Sequence, residues 1–171
     1  MRKHFSVPAF VVSTIVFGLV SGALALNITG SPNNDVIYGS ANKDTIEARG
    51  GADTVYAEDG NDDVDGEQGY DNLNGRGGGD LLKGNSGNDD MGTGADSNWM
   101  NGGDNDDQLI GDATTSFNNI LGGDNGDDFI NARNSDDDLL IDGGGGDDTC
   151  RVDNSDVSAG VIYHCEHIQT P

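Results

Sequence analysis

Residues 66–92 read GEQGYDNLN, GRGGGDLLK and GNSGNDDMG, three consecutive nonapeptides of one design. Each carries an aspartate at its sixth position (Asp71, Asp80 and Asp89) and a large apolar residue at its eighth. The fourth position is glycine in all three, and glycine adopts positive φ angles without steric cost. A period this short and regular predicts a stack of similar units rather than one large globular core.

The repeat continues on both sides of this stretch. From Gly30 to Ile110 the chain divides without a slip into nine nonapeptides, numbered here units 1 to 9. Their eighth positions are Ile37, Ile46, Val55, Val64, Leu73, Leu82, Met91, Met100 and Leu109. Because successive residues of a strand face opposite sides, these apolar side chains are expected to point inward.

Beyond Ile110 the pattern persists with extra residues. Four further units are assigned as Gly111–Leu121, Gly122–Ile130, Asn131–Asp142 and Gly143–Arg151. This division gives thirteen units over residues 30–151. It also puts Ile110, Leu121, Ile130 and Ile141 at ninth positions, where they are expected to form an outward apolar stripe.

Units such as GRGGGDLLK, GNSGNDDMG and GGDNDDQLI resemble the RTX, or haemolysin-type, calcium-binding repeat, whose consensus is G-G-x-G-x-D-x-U-x with U a large apolar residue. The resemblance implies an all-β fold, a parallel β-roll (a right-handed β-solenoid) of about thirteen nonapeptide units with a small C-terminal cap. It also implies that the first six residues of each unit form a calcium-binding turn and the last three a short strand.

The aspartate at the sixth position is the candidate calcium ligand of each unit. Calcium takes six to eight oxygen ligands from carboxylates and backbone carbonyls. Aspartate also favours turns without any metal, but a column of like charges a few ångströms apart calls for cations between them. The candidate ligands are Asp35, Asp44, Asp53, Asp62, Asp71, Asp80, Asp89, Asp107, Asp127, Asp138 and Asp148.

The candidate ligands are expected to form two columns. If two units make one coil, the turns of odd units stack along one edge of the roll and those of even units along the other. The odd column is unbroken from Asp35 to Asp148, whereas the even column has Asn98 and Asn118 in place of aspartate. We therefore expect calcium along the whole odd edge, and on the even edge only between units 2, 4 and 6.

Composition supports a dependence on cations. The 171 residues include 31 acidic and 8 basic side chains, for a net charge of −23, and only 33% are apolar. A chain of this kind is disordered by itself because it buries too little apolar surface to offset the entropy of ordering. Calcium must then supply folding energy. The scattered basic residues offer no footprint for a nucleic acid.

The start of the chain is typical of a secretory signal peptide. A basic segment at Met1–His4 precedes an apolar run from Phe10 to Val20 and an A-x-A site at residues 23–25. The expected domains are a signal peptide at 1–25, the roll at 26–151 and a cap at 152–171. An uncleaved membrane anchor is the alternative, although the run is shorter than the roughly 20 residues that span a bilayer. Cleavage predicts a secreted or periplasmic protein without a membrane association.

Cys150 and Cys165 are the two cysteines of the chain. In an oxidising compartment they are expected to pair and close a short loop. Two unpaired small core residues are the alternative.

No catalytic signature accompanies the repeats: the sequence contains neither H-E-x-x-H nor G-x-S-x-G. We therefore expect a module that is not an enzyme, exported unfolded and folded by calcium outside the cytosol. The alternative is calcium-dependent surface adhesion or a self-assembling matrix or fibre protein. The apolar stripe of the C-terminal half is expected to be covered by the tail at 157–163 or by a second copy, and scattered exposure of its side chains is the alternative.

Overall fold

The structure, a computed structural model, describes residues 15–16, 24–111, 119–133 and 138–171. Most of the expected signal peptide and the sixth-position assignment of Asn118 lie outside the described residues.

Two parallel sheets face each other and are wound alternately by the chain. The nine-stranded sheet contains β1 (Ile15–Val16), β3 (Val36–Tyr38), β5 (Thr54–Tyr56), β7 (Asn72–Asn74), β9 (Asp90–Gly92), β11 (Gln108–Ile110), β13 (Phe129–Asn131), β15 (Thr149–Arg151) and β17 (His167–Gln169). The eight-stranded sheet contains β2 (Asn27–Thr29), β4 (Thr45–Glu47), β6 (Asp63–Gln68), β8 (Leu81–Ser86), β10 (Trp99–Asp104), β12 (Ile120–Asn125), β14 (Leu140–Gly145) and β16 (Ile162–Tyr163). The expected parallel β-roll is therefore confirmed.

The register follows from the nonapeptide. Val55 of β5 pairs with Leu73 of β7, and Val64 of β6 pairs with Leu82 of β8, so each coil consumes two units. Since only the middle residue of each three-residue strand faces inward, strands such as β3 show a buried residue between two half-buried ones.

The core is a single file of side chains between the sheets. Its members at the middle of the strands are Ile28, Ile37, Ile46, Val55, Val64, Leu73, Leu82, Met91, Met100, Leu109, Leu121, Ile130, Ile141 and Cys150. All except Ile28 are fully buried. The inward orientation predicted for the eighth positions of units 1 to 9 is confirmed.

The expected apolar stripe is wrong, because the register beyond Ile110 is shifted. Leu121, Ile130 and Ile141 are fully buried, and only Ile110 of the four is exposed, at 37%. Gly122 is the last residue of its three-residue inner strand and Gly123 begins the next turn, whereas the sequence division started that unit one residue earlier. A one-residue slip moves every side chain of a strand to the opposite face.

A bulge absorbs an extra residue before β14. Leu139 and Leu140 both donate their N–H groups to the carbonyl oxygen of Asn119, and the Leu139 side chain is 57% exposed. The bulge returns Ile141 to the inward position opposite Leu121.

The tail continues the coil instead of lying across a sheet. After helix α1 (Asn154–Ala159), β16 pairs with β14 and β17 pairs with β15. Asp153 caps the helix by accepting the N–H of Ser155. A disulfide joins Cys150 to Cys165, as one of the two sequence interpretations predicted, and thereby ties the last repeat to the tail.

At the other end, β1 pairs with β3 as the outermost strand of its sheet. Among the described residues, no helix is long and apolar enough to cross a membrane.

Replacing Leu73 with alanine tests the single-file core. We expect Leu73→Ala to lower the free energy of unfolding in calcium by about 2–5 kcal/mol, since a fully buried leucine leaves a cavity. Urea denaturation followed by circular dichroism measures this loss. The matched control, Leu139→Ala, removes a leucine that is largely exposed and should change stability by less than about 0.5 kcal/mol. Equal losses in the two variants would contradict the core assignment.

Candidate metal centre

A ladder of buried aspartates runs along each edge of the roll. Asp71 accepts the backbone N–H of Asp53 at its Oδ1 atom (2.8 Å), and Asp71 donates its own N–H to Oδ1 of Asp89 (2.8 Å). The same contact repeats in every coil of this edge. The odd row consists of Asp35, Asp53, Asp71, Asp89, Asp107, Asp128, Asp148 and finally Glu166.

The opposite edge carries an equivalent ladder. It begins with the N–H of Leu26, which donates to Oδ1 of Asp44 (2.6 Å). The even row consists of Asp44, Asp62, Asp80, Asn98, Asn119, Asp138 and Asp156. The two columns expected from the sequence are thus present, one along each edge.

Most of these aspartates have a second carboxylate oxygen, Oδ2, that the ladder contact does not use. Within the described part of the chain, it is buried and makes no hydrogen bond in eight of them. These residues are Asp53, Asp62, Asp71, Asp80, Asp89, Asp107, Asp128 and Asp148. A buried charged oxygen without a partner is costly, so each row contains a series of oxygens suited to a cation.

Glycine stands at the first position in six of the eight units with this open oxygen and keeps space free beside it, whereas units 3 and 4 have Ala48 and Ala57 there. A Cβ atom added to Gly66 would lie 2.7 Å from Oδ2 of Asp71 and 3.0 Å from the carbonyl oxygen of Gly84 in the next coil. A carboxylate oxygen and a carbonyl oxygen from successive turns therefore approach the same point. This pairing of donors is what calcium takes from proteins.

Burial raises the pKa of these carboxyl groups strongly. Desolvation is the main cause, partly offset by the N–H that each accepts, and it brings the pKa of Asp80 to about 7 and that of Asp107 to about 8. For Asp53, Asp71 and Asp128 the pKa rises to about 6 for the same reason. Without a cation, the rows therefore oppose their own ionisation at neutral pH.

Units 1 and 2 close their turns in a different way. Oδ2 of Asp35 accepts the N–H of Ser31 (2.6 Å), and Oδ2 of Asp44 accepts the N–H of Ser40 (2.5 Å). In these two turns a backbone N–H occupies the oxygen that is open elsewhere. Asp35 and Asp44 therefore lie in the rows as expected but present no unpartnered oxygen to a metal.

The structure corrects one candidate ligand. Asp127 lies outside the odd row: it is exposed and accepts the N–H of Asp147, while its neighbour Asp128 occupies the buried place. The cause is the one-residue register shift at Gly122. The other ten candidates lie in the rows, where Asp138 accepts both the N–H and the side-chain amide of Asn119.

The sequence interpretation also missed two residues of the tail, Asp156 and Glu166, that continue the ladders. Asp156 accepts the N–H of Asp138 (2.9 Å), and Glu166 accepts that of Asp148 (3.0 Å), which lowers the pKa of Glu166. Each lies 18 residues after its partner, the length of two units, and this spacing was the available signal.

The donor set fits calcium. The eight aspartates with an open Oδ2 would hold the ions together with backbone carbonyl oxygens, and calcium would supply the positive charge that the buried carboxylates lack. The chain itself fixes the position of each carboxylate through its N–H contact with Oδ1.

The raised pKa values predict that acid stabilises the metal-free roll. A carboxyl group with a higher pKa in the folded state stabilises it below the unfolded pKa, near 4, and this contribution is lost as pH rises through 6 to 8. In chelator, where the chain is largely unfolded at neutral pH, we expect the folded fraction measured by circular dichroism to increase as pH falls from 8 to 5.5. In calcium the trend should reverse, because protons compete for the ligands. A metal-free protein that is most stable at pH 8 would contradict the assignment.

Comparison with known proteins agrees with this geometry. The family model described as the RTX calcium-binding nonapeptide repeat (4 copies) matches residues 27–55, 38–73, 56–91, 65–100 and 84–113. These overlapping matches cover about half of the chain. Neither the search of curated proteins nor the search of solved structures found a match. The repeats of this family bind calcium ions, and the chain belongs to the RTX calcium-binding nonapeptide repeat family.

Proposed function

We propose that this protein is an exported calcium-binding module whose roll folds when calcium fills the two rows outside the cytosol. The observation that carries the proposal is the series of eight buried aspartate oxygens without a hydrogen-bond partner among the described residues. Calcium would bind these oxygens and neutralise the repulsion between the carboxylates of successive coils.

The thin core makes the calcium contribution decisive. Each strand places one side chain between the sheets, and two of the core residues, Ala48 and Ala57, contribute only a methyl group. The chain also carries a net charge of −23, and the repulsion between these charges opposes folding. A metal-free chain would therefore remain largely unfolded at neutral pH, because ordering entropy and charge repulsion exceed the apolar gain.

Export is supported by two features. The first is the basic and then apolar start of the sequence, followed by the A-x-A site. The second is the disulfide between Cys150 and Cys165, since disulfides persist in oxidising compartments. Calcium sites of extracellular modules bind at about 10⁻⁴–10⁻³ M, which leaves such sites empty in the cytosol. A chain of this kind crosses a membrane unfolded and is trapped by folding outside.

A matched pair of neighbouring aspartates tests the role of the rows. Asp107 has a buried, unpartnered Oδ2, whereas Asp106 is exposed and accepts only the N–H of Asp127. We expect Asp107→Ala to raise the calcium concentration at the folding midpoint on the order of tenfold or more, since it removes a charged ligand. Asp106→Ala, with the same change in charge, should shift it far less. Circular dichroism during calcium titration measures both, and no gain of β-structure in the wild-type protein would refute the proposal.

Self-association is the second candidate function, and the C-terminal end of the roll favours it. Ile168 of β17 occupies the core register opposite Cys150, yet its side chain is 51% exposed because β17 is the last strand of its sheet. Tyr163 is also 51% exposed and belongs to β16, the last strand of the other sheet. Because Leu121, Ile130 and Ile141 are buried, the expected stripe cannot be the contact, so this end becomes the proposed one.

Sedimentation at increasing protein concentration in calcium tests the end contact. The wild-type protein should form larger species as concentration rises, and Ile168→Lys should remain monomeric because a charge replaces the apolar contact. Leu139→Lys is the control, as Leu139 is equally exposed but lies at the bulge on the side of the roll. A wild-type monomer at all concentrations would exclude this second function.

A further inference from the structure

Turn 8, residues 93–98, is the place where the even row loses its carboxylate. Asn98 is 4% exposed, and its Oδ1 accepts the N–H of Asp80 at 2.8 Å. This is the contact that the row aspartates after Asp35 make through their own Oδ1. The side chain therefore keeps the ladder intact, but an amide nitrogen stands where the aspartates have their second oxygen.

The amide nitrogen of Asn98 points into its own turn. It donates to the carbonyl oxygens of Asp96 (2.8 Å), Gly94 (3.4 Å) and Ala95 (3.5 Å). Three backbone oxygens thus converge on one nitrogen that carries partial positive charge. A cation would require the same arrangement of oxygens, and the amide supplies the positive end of a dipole in its place.

The first residue of this turn differs as well. Units 5, 6, 7 and 9 begin with glycine, whereas unit 8 begins with Thr93. A Cβ at Gly66 would approach the open oxygen of Asp71, so the glycine keeps that space free in unit 5. Units 3 and 4 begin with Ala48 and Ala57 and still leave Oδ2 of Asp53 and Asp62 without a hydrogen bond, so the amide of Asn98 is the feature that sets turn 8 apart.

We infer that the Asn98 amide replaces a calcium ion in turn 8, so that this turn closes without metal. The inference rests on the proposed calcium-dependent folding. It identifies turn 8 as a turn of the even edge that does not need the ion. The exchange of one oxygen for one nitrogen, with the backbone contacts unchanged, makes the turn independent of the ion. The odd row, which is carboxylate throughout, contains no turn that is closed by a side-chain amide.

Restoring the carboxylate should create a calcium site. In Asn98→Asp, three carbonyl oxygens would face a carboxylate oxygen, an arrangement that is stable only with a cation between them. Calorimetric titration of the full-length, metal-depleted variant with calcium chloride should give one ion more per chain than the wild type. Its melting temperature should also rise more steeply with calcium concentration than that of the wild type.

Two further variants separate this role from a general effect of charge or packing. Asn61→Asp adds the same charge to an exposed residue of the even edge, whose Oδ1 accepts the N–H of Gly79, and should leave the stoichiometry unchanged. Asn98→Ala removes the donors without adding a ligand, so it should lower the melting temperature in saturating calcium and add no ion.

The outcomes are distinct. Asn98→Asp with the wild-type stoichiometry, or unfolded in saturating calcium, would overturn the inference while leaving the proposed function intact. A wild-type protein that binds no calcium would overturn both.

Discussion

The hydrogen bond from a backbone N–H to the first oxygen of the aspartate in the next coil is the contact on which the roll depends. In the odd row it runs from Asp35 to Glu166 at donor–acceptor distances of 2.7–3.0 Å. It holds each carboxylate in a buried position that its charge would otherwise forbid. The second oxygen is then left without a protein partner, so the contact that orders the turn also creates the demand for a cation.

The rows satisfy that second position in different ways. Most turns leave an oxygen that we propose calcium binds, turns 1 and 2 direct the N–H of Ser31 or Ser40 to it, and turn 8 uses the amide of Asn98. In this proposal, only the turns with an open oxygen couple stability to the ion. A single fold thus combines segments of different cation dependence, although its backbone ladder is the same throughout.

The sequence predicts the fold wherever the period is unambiguous. From Gly30 to Ile110 the aspartates and apolar residues alternate at fixed spacing, and every one of them lies where the period places it. The prediction fails at Gly122 and Gly123. Either glycine can begin a unit, and because of the insertion before them the nine-residue period no longer decides between the two. Burial decides between them, because Leu121 and Ile130 gain more inside the roll than at its surface.

The finer features of the site depend on atoms that a repeat pattern does not distinguish. Asn98 replaces the consensus aspartate with an amide of nearly the same size, but the direction of that amide appears only in three dimensions. The same is true of Ser31, whose contribution is a backbone N–H. Asp156 and Glu166 follow the 18-residue spacing, yet they lie in a helix and a tail that carry no recognisable nonapeptide.

Every rung of both ladders donates in the same direction, from a residue to its counterpart one coil later. The molecule is therefore polar along its axis, with a carboxylate leading at the end of Asp35 and an N–H group at the end of Glu166. Two copies related by a twofold axis would bring like ends together and could not prolong the ladder. Head-to-tail addition would preserve its direction, and the rotation between copies would decide whether such a contact closes into a ring or continues as a filament.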